Sequence, residues 1–299
     1  MNSDLSKGTE KTLFQLEETC PKNAIFADIR FRAGIDMKTT VDIESVLARK
    51  YGDRKFPRFV ISFLNRLLCL DYFNGYFKEG KSGIEFCTGA LEHMGNHLDV
   101  EGLENIPSGG RYTFVSNHPI GGVDGVALAG IVGTRFGSIK LPVNDFLMAI
   151  PGLRPVCIPI NKTGGQSRNL PELIRQAFDS DDQIVMFPAG ICSRLIDGKV
   201  QDIPWSKTFI TQSIRSQRDI VPVHFYGENS RKFYRIAKLG DALKLKFKRS
   251  MAFLPEETYK NRGKTFRVVF GKPIPYATFD KSRTPVQWAQ WVREKVYEL

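Results

Sequence analysis

The sequence predicts an α/β fold, a sheet flanked by helices, behind an N-terminal helical module. Three observations carry this. From about residue 101, short apolar runs alternate with longer amphipathic ones, the pattern of strands alternating with helices. Gly- and Pro-containing turns follow two of those runs, at 117–125 and 187–194. Residues 1–100 lack the alternation and carry helix signals instead. The expected division is therefore 1–100 and 101–299.

The elements follow in order. Residues 1 to about 40 are polar and irregular, and 42–50 read as a short helix. Residues 57–73 make a stronger one, with Pro57 suited to a first turn. Its broad apolar face holds Phe59, Val60, Phe63, Leu64, Leu67 and Leu68, against a narrow stripe of Ser62, Asn65 and Arg66. Residues 83–98 predict a further helix, loosened by Gly89 and Gly95. Strands are expected at 112–116, 138–143, 156–160, 183–187, 220–225 and 266–270. Helices are expected at 124–133, 170–179, 205–217 and 284–298. Residues 161–169 form a Gly/Ser/Asn-rich loop, and the alternation over 243–248 fits a half-buried strand with a lysine-lined outer face.

Composition is that of a globular protein, 42% apolar and 25% charged over 299 residues. The net charge of +11 points to an anionic partner: a membrane surface, nucleic acid or an acidic carrier protein. A nucleic-acid binder needs basic residues interleaved with exposed aromatics or a recognisable module, and neither is present. The five cysteines are scattered without a CxxC pair, which predicts reduced thiols in a cytosolic chain. Residues 1–12 show no secretory h-region. No apolar run approaches the roughly 18 residues that span a bilayer, so membrane contact is expected to be peripheral, on the cytoplasmic face. Arg49, Lys50, Arg54, Lys55 and Arg58 crowd the start of the 57–73 helix, the signature of an interfacial helix; packing into the core is the competing reading.

The chemistry concentrates in Asn117-His118-Pro119-Ile120-Gly121-Gly122-Val123-Asp124-Gly125. A strand-to-helix turn exposes side chains at the sheet end where open α/β folds place their sites. A neutral imidazole held by a carboxylate removes a proton from a hydroxyl near pH 7, which makes His118 a candidate base and Asp124 its orienter. A helix cap is the alternative reading of Asp124. The second turn, Phe187-Pro188-Ala189-Gly190-Ile191-Cys192-Ser193-Arg194, follows another strand. Arg194 offers a planar fork for a carboxylate or phosphate, weighed against an arginine that ties its own loop. Backbone N–H groups of Gly121, Gly122 and Gly190 are candidate oxyanion donors, because glycine lets the main chain approach closely. Cys192 reads as packing, and His224 as a core-edge histidine. His93 and His97 have helical spacing but lack the glutamate of a zinc-binding HExxH. GxSxG, P-loop and GxGxxG motifs are absent.

Together these blocks resemble the PlsC-like lysophospholipid/glycerolipid acyltransferase family. That family carries Asn-His-x4-Asp, then Phe-Pro-Glu-Gly-Thr-Arg-Ser, then Val-Pro-Val, the last matched by Ile220-Val221-Pro222-Val223. Residues 156–162 lie where the family has its acceptor-binding strand and arginine. The resemblance covers about residues 101–277. It implies a mixed sheet flanked by helices and O-acyl transfer from acyl carrier protein or coenzyme A thioester to a lyso-lipid. It implies no resident cofactor or metal. His118 and Asp124 are the implied catalytic pair; Arg194, Gly190, Lys162, Gly121 and Gly122 are the implied substrate-binding set.

Three departures matter. Five residues separate His118 from Asp124 instead of four, an extra residue that Gly121-Gly122 can absorb. Ala189 replaces the glutamate, and Asn161-Lys162 replaces the arginine. In the family those two residues are associated with a glycerol-phosphate acceptor. The chain therefore looks like the branch acting on lyso-aminolipids, such as lyso forms of ornithine or glycine lipids. Alternatives are a 1-acylglycerol-3-phosphate acyltransferase and a basic, non-enzymatic lipid- or nucleic-acid-binding homologue.

Overall fold

Strand β2 (Tyr112–Ser116) is buried at every position, as a central strand covered on both faces must be. Its side chains alternate between two cores. Phe114 joins Val185 and Val221 on one face, while Val115 joins Ile184 and Ile220 on the other. The computed structural model describes residues 40–299 apart from 53, 161–169 and 243–251. Lys162, its expected loop and the expected strand at 243–248 lie outside the described residues.

The strands are β1 (His97–Glu101), β2, β3 (Ile139–Asn144), β4 (Cys157–Ile160), β5 (Gln183–Met186), β6 (Arg194–Ile196), β7 (Lys199–Gln201), β8 (Asp219–Phe225) and β9 (Thr265–Phe270). Seven form one sheet in the order β1-β9-β8-β2-β5-β3-β4. From β8 through β2, β5 and β3 to β4 all pairs are parallel; β9 runs antiparallel to β8 and β1 parallel to β9. The sheet is therefore mixed, as the resemblance implies. β6 and β7 form a separate hairpin closed by Asp197 and Gly198, both at positive φ.

The helices are α1 (Ile43–Tyr51), α2 (Arg58–Leu67), α3 (Leu70–Phe77), α4 (Gly83–His93), α5 (Val123–Phe136), α6 (Leu170–Asp179), α7 (Thr208–Ser216), α8 (Arg231–Ala242), α9 (Leu254–Lys260) and α10 (Pro285–Tyr297). Helices α3, α4 and α5 cover one face of the sheet, and α6, α7 and α10 the other. Residues 39–299 form one compact unit. The change near residue 100 marks where helices give way to strands; Tyr76, Phe86 and Leu91 share a core with Phe114 and Val221.

Two expected helices differ. The 57–73 helix breaks at Cys69, which adopts a left-handed φ of 50°. The break sends Leu68 and Leu70 into a small cluster with Ile43, while α3 buries Tyr76 and Phe77 in the main core. The 83–98 helix ends at His93. Asn96 then donates to the carbonyls of Asn261 and Lys264, and residues from His97 onward pair with β9 as an edge strand. His93 and His97 consequently do not share a helix face.

Arg218 pins the end of the sheet remote from the two motif turns. It is fully buried, and its guanidinium donates to the carbonyls of Phe178, Tyr112, Asp182 and Ser180. Burial, with Arg111 nearby, pushes its pKa down to about 10, still charged at neutral pH. Hydrogen bonds to a charged donor are worth roughly 1.5–3 kcal/mol each. Arg218→Met should therefore lower unfolding free energy by about 3 kcal/mol or more in urea denaturation. A loss below about 1 kcal/mol would show that these carbonyls do not depend on it.

Candidate active site

The site forms where β2, β5 and β8 end. Asn117 continues the β2–β8 pairing with its side chain: Nδ2 donates to Phe225 O at 2.9 Å, and Phe225 N donates to Oδ1 at 2.8 Å. The chain then turns through His118 into α5. His118 Nδ1 lies 3.1 Å from Asp124 Oδ2. A carboxylate only accepts, so Nδ1 carries the proton and Nε2 is the free lone pair of the neutral ring. The ring stacks on Phe187, centroids 4.1 Å apart, and its side chain keeps 17% exposure.

Asp124 is fully buried in the first turn of α5, where the helix dipole favours an anion. It accepts N–H bonds from Ile120, Gly121 and Gly125 at 2.9–3.1 Å. Burial alone would raise its pKa, but His118 and the amides of Ile120 and Gly121 outweigh burial and hold it below the usual carboxylate value. The partner behaves consistently. Burial opposes a charged His118, yet Asp124, with Cys192 adding, holds the imidazole pKa well above its ordinary value.

The turn is also clamped from outside. Asn229 Nδ2 donates to the carbonyls of Pro119 and Ile120, both at 3.1 Å. Ser193 N donates to His118 O at 2.8 Å, joining the two motif turns. Gly121 takes the left-handed conformation, φ +92°, and absorbs the extra residue. A Cβ there would stand 2.3 Å from Cys192 Sγ, and one on Gly122 would stand 2.2 Å from Thr258 Oγ1 of α9.

Three expectations change. The Gly121 amide is bonded to Asp124 and the Gly190 amide to Phe187 O, so both are committed to turn structure and not aimed at a substrate. The Gly122 amide remains as a donor candidate of the three. Arg194 is 7% exposed, and Nη1 donates to Cys192 O at 2.8 Å and Ser193 O at 3.5 Å. It ties its loop, the reading weighed against head-group binding. Cys192 is buried, and it adds to the rise of the His118 pKa, which places it closer to the chemistry than a packing role suggests. His224 stacks on Tyr226, and its buried Nδ1 has no partner among the described residues; burial, then Arg267, pushes its pKa down to about 4. Among the described residues no group of three His, Cys, Asp or Glu could hold a metal ion.

Sequence reasoning missed Asn229 and Asp202. Asp202 Oδ1 accepts His118 N at 3.2 Å. Neither belongs to a motif turn; only a carboxylate followed three residues later by tryptophan marked the second.

Residues 45–299 match a protein-family model described as Acyltransferase. The chain belongs to this family. It is 48% identical to a lyso-glycine lipid O-acyltransferase of Phocaeicola vulgatus over 264 residues, 87% of this chain and 95% of that protein. It is 47% identical to a protein of the same name from Bacteroides thetaiotaomicron, over 87% of this chain and 97% of the relative. A solved structure of the 1-acyl-sn-glycerophosphate (LPA) acyltransferase PlsC from Thermotoga maritima aligns with a TM-score of 0.44 and 17% identity, covering 92% of this chain and 89% of that one. The protein is an acyltransferase.

The close approach of α9 to the His118–Asp124 turn gives a test. Gly122→Ala should lower acyl transfer at least about tenfold, because a misplacement near 1 Å in a catalytic turn costs on the order of a hundredfold. Adding Thr258→Gly removes the atom the new methyl meets and should restore most of the rate. No recovery in the double variant would mean that the methyl acts through the turn's own conformation.

Proposed function

We propose that the protein transfers a fatty acyl group from an acyl carrier protein or coenzyme A thioester to the hydroxyl of a lyso-aminolipid, a lyso-glycine lipid foremost, at a membrane surface. The carrying observation is the His118–Asp124 pair at the end of β2, in a chain nearly half identical to two proteins named lyso-glycine lipid O-acyltransferases. His118 Nε2 takes the acceptor's hydroxyl proton as that oxygen attacks the thioester carbonyl carbon. Asp124 holds the tautomer and supports the imidazolium. The tetrahedral oxyanion needs a donor, and the Gly122 amide at the start of α5 is the candidate. The C–S bond then breaks and the imidazolium returns its proton to the leaving thiolate. The thioester is already activated, so no acyl-enzyme is needed.

The acceptor follows from what the site lacks. Ala189, partly buried against the core, offers no charge where the family has glutamate. Without the family's arginine, a phosphate ester would forgo charge-assisted hydrogen bonds worth roughly 1.5–3 kcal/mol each. The test is one acyl donor with two acceptors, lysophosphatidic acid and lyso-glycine lipid, using wild type and His118→Ala. Expected is preference for the lyso-glycine lipid and a loss of about two to four orders of magnitude in the variant. Because the active base is neutral and its pKa is raised, the rate should climb with pH through a midpoint above about 6.5. Asp124→Asn should lower that midpoint. Preference for lysophosphatidic acid would overturn the acceptor, and a fully active His118→Ala the mechanism.

Membrane contact is proposed through α2. No helix of the described residues is long and apolar enough to cross a bilayer. Ile61 and Leu64 pack toward the small cluster, whereas Phe59 and Phe63, one turn apart, are 74% and 63% exposed. Arg54, Lys55, Arg58 and Arg66 are exposed around them. Aromatic residues framed by cations suit an anionic lipid interface. Burying a phenylalanine is worth roughly 1.5–3 kcal/mol, so Phe59→Ser/Phe63→Ser should weaken vesicle binding at least about tenfold without unfolding the chain. Cosedimentation with anionic vesicles should also fall with added salt; equal binding to neutral vesicles would remove the electrostatic component.

A further inference from the structure

Behind the catalytic turn sits a second carboxylate that the acyl-transfer chemistry does not use. Asp202 lies just past β7 and is 1% exposed. Its Oδ1 accepts His118 N at 3.2 Å and Ser193 Oγ at 2.6 Å; its Oδ2 accepts Trp205 Nε1 at 2.8 Å. Its own main chain is held too. Asp202 N donates to the Tyr297 hydroxyl at 2.7 Å, and Arg293 Nη2 donates to Asp202 O at 2.6 Å. Every side-chain contact is a donor, a shell built for the anion.

We infer that Asp202 is a positioning residue of the acyl-transfer site: it locks the His118 main chain, the Ser193 loop and α10 in one register and sets a second negative charge behind the imidazole. Two links run between the motif turns, Ser193 N to His118 O and the Ser193 Oγ–Asp202–His118 N bridge. Two oppositely directed links fix both the separation and the rotation of the turns. The stacking of His118 on Phe187 depends on that separation. Among the described residues, the titratable groups facing the ring are Asp124 from α5, Cys192 from the loop before β6, and Asp202. Burial raises the Asp202 pKa, opposed by Ser193, Trp205 and His118.

The inference rests on His118 being the base, a reading that fails separately if His118→Ala keeps its turnover. Asp202→Asn alone turns an amide N–H₂ toward the indole N–H and threatens the fold. Trp205→Phe removes that clash, so the informative variant is Asp202→Asn/Trp205→Phe, compared with Trp205→Phe. The full-length enzyme is assayed for kcat, KM and the pH dependence of kcat/KM. Expected in the pair, whose amide oxygen keeps both links but as weaker neutral hydrogen bonds, is a kcat loss of up to about tenfold with both KM values within about twofold, since Asp202 touches no substrate. The acid limb should move to lower pH by roughly half a unit, because a removed anion makes the imidazolium easier to deprotonate. Trp205→Phe should keep the acid limb of wild type. A pair with wild-type kcat and an unmoved limb would overturn the inference. So would a loss carried in KM, or a pair that no longer folds, which would make Asp202 a residue of the fold alone.

Discussion

The site depends on one buried carboxylate. Asp124 is fully buried and accepts three backbone N–H groups besides His118 Nδ1. An isolated charge there would be prohibitive, so its partners have to be in place together. The requirement runs in both directions. The carboxylate shapes the turn by gathering its amides, and the turn supplies the donors that keep it ionised beside the imidazole. Gly121 makes this possible, because its positive φ brings the amide inward and its missing Cβ leaves room for Cys192.

Around that core, the His118–Asp124 turn is immobilised by groups from distant parts of the chain. Asn117 copies the backbone to extend the β2–β8 ladder. Asn229 grips two carbonyls that face away from Asp124. Ser193 and Asp202 reach in from the second motif turn and the hairpin. Preorganisation of this kind is what a general base needs, since its efficiency falls steeply with misplacement. Arg218, by contrast, secures the opposite end of the same strands. The central strands are thus anchored at one end and chemically equipped at the other, the division expected of parallel strands in an α/β fold.

The surface chemistry is consistent with a lipid-facing enzyme. A net charge of +11 favours anionic interfaces, and α2 has no buried residue while two of its phenylalanines stand in solvent. An exposed aromatic pair framed by cations gives the proposed interface both an apolar and an electrostatic component.

Much of this protein was legible in its sequence. Short apolar runs identify strands β2, β3, β4, β5, β8 and β9, because a strand covered on both faces reads as a continuous apolar run and one covered on a single face as an alternating run. Helix α5 and the His118–Asp124 pair were equally plain, since a turn of six residues is a local event. The Asp197-Gly198 hairpin is also encoded locally, but its strands of only three residues each are too short to show a periodicity. What the sequence withheld is what long-range packing decides. β1 exists because residues 265–269 lie beside it, and the break at Cys69 exists because Leu68 and Leu70 reach Ile43. The sequence leaves Arg194 open between a ligand fork and a loop tie, and the fold buries it and bonds it to its own loop. Asp202 carries no motif at all. Its importance is a matter of three donors from residues 118, 193 and 205 converging on one carboxylate, and only the tertiary structure brings them together.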